Sequence, residues 1–159
     1  MTEAQRPLTG EELCLLGRIH AGVALLDELL GFTIRVIVRA RPGPGRVLTS
    51  ELTFSQKIGL LRELGVSRLR NDARLSGMSE LLVRVEEAAR KGSPVTYDVR
   101  LQMDDEGEGN GRGILVERVA SPVDRLEQDA RFVEGVAADV LAFLERVHGA
   151  LYDTYASDA

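Results

Sequence analysis

The C-terminal part of the chain repeats apolar residues at a spacing that a helix alone can use. Leu126, Ala130, Val133, Ala137, Val140, Leu144, Val147 and Leu151 recur every three or four positions. They therefore fall on one stripe of a long helix, and that stripe must be covered by another element. Phe132, Val136 and Phe143 widen it beyond what one narrow contact needs, which predicts a helical-bundle core, a dimer interface or both. The start is marked by Ser121 as a cap, Pro122 at the first helical position and the acidic Asp124 just inside, because proline there gives up only an N–H that has no helical partner. These signals predict a helix over 122–152, with Thr154 to Ala159 fraying beyond it.

A second long helix is predicted over 8–39. Thr9 with Glu12 forms a capping box, and Leu8 with Leu13 occupies the staple positions. Leu16, Ile19, Val23, Leu26, Leu30, Ile34 and Ile37 then share one face. Gly17, Gly22 and Gly31 interrupt it, each at a cost of roughly 1 kcal/mol against alanine, so close approach of another helix is expected at these positions. Pro42 to Gly45 is expected to break the helix into a flexible loop. Thr53 with Gln56 caps a short helix over 53–64 whose face is Phe54, Ile58, Leu61 and Leu64, ending at Gly65. The stretch from Val66 to Met78 reads as a turn or broken helix, and Ser79 as the cap of a helix over 80–91, with Leu81, Leu82, Val85, Ala88 and Ala89 on one side.

The pattern changes after Pro94. Val95, Tyr97, Val99, Leu101 and Met103 alternate with polar residues, and a second β-prone run from Gly113 to Val119 follows. This predicts a β-hairpin over 95–119 with an acidic, glycine-rich tip, packed on the helices because two strands are marginal alone. The expected fold is mainly α: one domain over 1–159, an antiparallel bundle of about four helices with a β-hairpin inserted before the long C-terminal helix.

The chain of 159 residues is 44% hydrophobic and 28% charged, the balance of an ordinary globular domain, and no run of about 18 apolar residues marks a membrane span. The N-terminus has no apolar signal core and Cys14 has no cysteine to pair with, which leads to the expectation of a cytoplasmic protein without membrane association. A net charge of −5 argues against a general phosphate-backbone binder but leaves room for a local basic face.

Candidate chemistry is sparse. There is no glycine-rich phosphate loop and no cysteine and histidine ligand set, so no cofactor is expected. His20 and His148 lie on helices, where a packed or surface role is expected, and Cys14 is expected to be a small packed residue. Asp104, Glu106 and Glu108 before Gly109 imitate the first half of a calcium loop, but Leu115 stands where the bidentate glutamate belongs. A solvated hairpin tip is the expected reading. Arg62, Arg68, Arg70 and Arg74 form the densest basic cluster and are candidates for RNA phosphate contacts, with a solvated, ion-paired face as the alternative.

Leu16 to Ile19, Leu25 to Leu30 and Leu52 to Leu61, above all Phe54, Ser55, Gln56, Lys57 and Ile58, resemble the opening helices of HEPN-type proteins and the related mannitol operon repressor family. The resemblance covers most of the chain in element order. It implies a dimerising helical bundle in which, in active members, an arginine and a histidine meet at the dimer cleft and cleave RNA without metal. Arg90 matches the arginine of the family motif; Lys91 stands where asparagine is usual and Val95 where the histidine falls. Valine exchanges no proton, so family-type acid and base catalysis is not expected. The leading expectation is a non-catalytic homodimer acting as an interaction or regulatory module on an RNA or protein partner. The alternatives are a metal-independent ribonuclease using Arg90 with Arg70 or Arg74 as phosphate clamps, and a small-molecule-binding domain formed by the hairpin against the bundle.

Overall fold

The structure, a computed structural model, describes residues 8–68, 77–92, 98–101, 114–117 and 122–157. It is mainly helical. Five helices follow in order: α1 (Gly10–Ile37), α2 (Pro42–Ser50), α3 (Phe54–Arg68), α4 (Met78–Gly92) and α5 (Val123–Ser157).

The capping box of α1 forms as expected. Glu12 N donates to Thr9 Oγ1 at 3.2 Å, and Thr9 N donates to Glu12 Oε2 at 2.7 Å, so two backbone donors without helical acceptors are satisfied reciprocally. The Glu12 residue is thereby fully buried without an orphaned charge. At the other end α1 stops short of the predicted 39. Ala40 N donates to Arg35 O at 3.0 Å and Arg39 N to Val36 O at 3.2 Å, while Arg39 itself adopts φ 56. This is a Schellman ending built on a non-glycine residue in the left-handed region.

The expected loop after it is instead α2. Prolines at 42 and 44 fall within the first turn, where the N–H groups they lack would have had no partner and their fixed φ suits a helix. The segment therefore ends one helix and begins the next. Gly45 allows α2 to lie against α1: a Cβ there would come within 2.7 Å of Ala40 Cβ and 3.2 Å of Arg35 Cδ. Thr49 is buried in the same contact, accepting from Arg35 Nη1 at 2.7 Å and donating to Gly45 O at 3.1 Å.

The reciprocal cap at the start of α3 also forms, with Gln56 N donating to Thr53 Oγ1 and Thr53 N to Gln56 Oε1. The helix runs through Gly65 rather than ending there, and Met78 sits over that glycine, where a Cβ would find no room. Gly77, at φ 89, replaces Ser79 as the start signal of α4; its carbonyl accepts from Leu81 N at 2.9 Å. The carbonyl of Pro122 accepts the first bonds of α5, from Arg125 N and Leu126 N; Ser121 is outside the described residues. The helix continues through Ser157 instead of fraying from Thr154, since no glycine or proline follows Gly149 to stop propagation.

The core is made where α1, α3, α4 and α5 meet. Ile19, Leu26, Leu61, Val85, Ala130, Val133 and Val136 are at most 1% exposed. The α1 and α5 stripes read from the sequence are buried from Leu16 to Ile37 and from Leu126 to Val147, with Val23 only partly so; the side chain of Leu151 lies outside the described residues. Gly22 is a point of tight approach between these two helices: a Cβ there would lie 2.5 Å from Val133 Cγ1. Gly31 meets Thr49 of α2 at ordinary contact distance, whereas Gly17 faces open space. One of the three glycines is thus a tight helix contact.

The hairpin expected over 95–119 is not supported as an element of this fold. The described residues hold two four-residue stretches there, β1 (Asp98–Leu101) and β2 (Ile114–Glu117), paired antiparallel from Asp98 opposite Glu117 to Leu101 opposite Ile114. Residues 93–97, 102–113 and 118–121 lie outside the described set. A ladder this short is marginal by itself, and the described core consists of helix residues and their flanks.

The Gly22 contact predicts a sharp asymmetry between two glycines of one helix. Gly22→Ala should lower unfolding free energy by about 1–3 kcal/mol, because the added carbon must displace a β-branched neighbour in a close-packed seam. Gly17→Ala should raise it by about 0.5–1 kcal/mol through helix propensity alone. Urea unfolding of the two variants checks both signs.

Candidate functional site

Several charged side chains on the described surface are bound in pairs across helix boundaries. Lys91 Nζ of α4 lies 2.7 Å from Asp129 Oδ1 of α5, and Arg84 Nη1 lies 2.6 Å from Asp139 Oδ2. As position rises on α4 it falls on α5, so the two helices run antiparallel. Arg62 Nη2 of α3 is 2.9 Å from Glu86 Oε2 of α4. Arg18 of α1 donates through Nε and Nη2, both at 2.8 Å, to the two carboxylate oxygens of Glu134 on α5.

The side-on Arg18 fork raises its own already high pKa and holds the Glu134 carboxyl below its ordinary value, the hydrogen bond being the chief cause in both. Because the Glu134 pKa is depressed in the folded state, the pair's contribution is present above the ordinary carboxylate pKa. It is lost as pH falls through the lower folded value. Both groups are solvent-exposed, so salt screens the pair and its effect on stability is small.

Arg90, the arginine of the family motif, is exposed in the last turn of α4, where a cation is favoured by the helix dipole. Glu86 precedes it by one turn. The carboxylate that holds Arg62 therefore stands on the edge that carries Arg90, and a phosphate approaching both arginines would have to displace it. His20 on α1 and His148 on α5 are both exposed. Extending the α4–α5 register carries His148 beyond the N-terminal end of α4. Arg90 falls opposite about residue 131 of α5 in that register, so His148 is about 25 Å away along the axis at 1.5 Å per residue, out of reach for a shared proton transfer within one chain.

Arg68 closes α3, but its side chain, with all of Arg70 and Arg74, lies outside the described residues. Asp104, Glu106 and Glu108 also lie outside them. Among the described residues, no group of three or more His, Cys, Asp or Glu side chains is placed to hold a metal ion, and no helix is long and apolar enough to cross a membrane. Cys14 is exposed rather than packed. It sits on the outer face of α1, three positions from Gly17 and away from the buried stripe.

The most water-excluded cation escapes a reading of motifs. Lys57, within the Phe54 to Ile58 stretch, is 5% exposed and donates from Nζ to Asp27 Oδ2 at 2.7 Å and to Asp27 O at 3.3 Å. It lies three positions after Phe54 and four before Leu61, on the apolar face of α3. A lysine at a core position was the available signal. It ties α3 to the middle of α1 as a structural clamp.

No protein-family model matches this chain, and neither a curated protein nor a solved structure matches it.

The Lys57 clamp predicts that Asp27→Ala destabilises the fold by about 1–3 kcal/mol, since it strands a buried ammonium while Asp27 itself is partly solvated. Lys57→Met, which fills the same space without a charge, should cost less than about 1 kcal/mol. Thermal or denaturant unfolding of the two variants distinguishes the clamp from an incidental contact.

Proposed function

We propose that this protein is a non-catalytic, HEPN-like homodimeric module that works by interaction rather than by chemistry. In this reading α1, α3, α4 and α5 form an antiparallel four-helix bundle. The observation that carries the proposal is the division of labour on the surface. Arg18, Arg62, Arg84 and Lys91 are all held by carboxylates of neighbouring helices, whereas Leu25, Phe32, Val47 and Leu48 are left 43–68% exposed.

Cations already bound in pairs make poor phosphate clamps, because binding RNA must first pull them from their carboxylates. Exposed leucine and phenylalanine side chains favour association with another protein surface. Val95 in the histidine position of the family motif removes the group that would move a proton. Regulation by assembly is then the remaining use of a helical scaffold with this surface.

Incubation of single-stranded RNA with the purified protein, in the presence of a chelator, tests the reading. The RNA should remain intact over hours, both with the native chain and with Arg90→Ala. Cleavage by the native chain that disappears in Arg90→Ala would establish the ribonuclease alternative and end the non-catalytic proposal.

A further inference from the structure

The outer face of α1 carries a second heptad pattern that the core does not use. Glu11, Arg18, Leu25 and Phe32 occupy one heptad position. Cys14, Ala21, Glu28 and Arg35 follow each of them by three. Together they form a continuous line about 36 Å long at 1.5 Å per residue. Leu25 is 52% and Phe32 43% exposed; Glu11, Cys14, Ala21 and Glu28 are exposed as well. The line runs between two flanks, with Arg18 reaching Glu134 of α5 on one side and Arg35 reaching Thr49 of α2 on the other.

We propose that this face docks on the same face of a second copy, the two α1 helices running antiparallel about a two-fold axis that passes between Ala21 and Leu25. The inference rests on the homodimer reading above and names the surface that makes the dimer. Across such an axis each residue meets the one equally far on the other side. Glu11 meets the partner's Arg35, and Arg18 meets the partner's Glu28. Cys14 meets the partner's Phe32, and Ala21 meets the partner's Leu25. Two layers pair opposite charges and two pair a small side chain with a large one.

The complementarity belongs to this register alone. Slipping one heptad in one direction puts Glu11 on the partner's Glu28; slipping in the other puts Arg18 on the partner's Arg35. A parallel pairing sets each of these four charges against its own copy. Like charges in facing layers are penalised, and this is how helix pairs select register and orientation. The arginines can serve both contacts, since a guanidinium has five N–H donors, and Arg18 uses two on Glu134.

Site-directed disulfide formation reads the register. The two copies of Cys14 would lie about 27 Å apart along the pair, from 18 residues at 1.5 Å each, far beyond the roughly 7 Å a disulfide spans. In a glutathione redox buffer the native chain should therefore stay uncrosslinked. Phe32→Cys should give a covalent dimer through Cys14 of the other copy, and Phe32→Cys combined with Cys14→Ser should not. Independently, Glu11→Arg should weaken dimerisation at least about tenfold by facing the partner's Arg35 with a like charge, and adding Arg35→Glu should restore it. A dimer by light scattering that shows neither the crosslink nor the charge response overturns this surface while leaving the homodimer reading intact. A monomer at tens of micromolar overturns both.

Discussion

The seam between α1 and α5 is the contact on which the other helices depend. Gly22 brings α1 against Val133 so closely that a single added carbon has no room, and the residues around it are almost fully withdrawn from water. Such close approach places the buried stripes of the two longest helices in register. It leaves a groove that α3 and α4 fill with Ile58, Leu61, Leu82 and Val85. A close-packed seam of this kind is rigid because every atom in it has a neighbour at contact distance.

Polar contacts refine what the apolar seam establishes. Lys57 and Asp27 lock α3 to α1, and the Lys91–Asp129 and Arg84–Asp139 pairs lock α4 to α5. Lys91 also lies 5.2 Å from the centre of the Phe132 ring, a cation–π distance. Exposed pairs contribute little each to stability. The same packing leaves Leu25 and Phe32 exposed on the outer face of α1.

What was legible beforehand is what local chemistry determines. The boxes of Thr9 with Glu12 and Thr53 with Gln56 were readable because capping needs only residues three apart, and the two long stripes because burial follows period. The start of α2 was misread because prolines 42 and 44 signal a break and a helix start in the same letters; which applies depends on Gly45 fitting against α1. Gly22 and Gly17 look alike in sequence, since the difference is Val133, more than a hundred residues away. Lys57 as a buried clamp depends likewise on Asp27, and Cys14 was misplaced because an exposed thiol and a packed one have the same flanks. For the candidate site, Arg90 and Arg62 were named from the sequence, but the intervening Glu86 emerges only when α3 meets α4.

Hydrogen exchange of backbone amides under native conditions tests the primacy of the seam most directly. If α1 and α5 together hold the fold, the slowest amides lie in Ile19 to Leu30 and Ala130 to Val140 and exchange at a common rate set by global unfolding. Those of α2 exchange much faster. Slower exchange in α3 or α4 than in the α1–α5 seam would contradict this account.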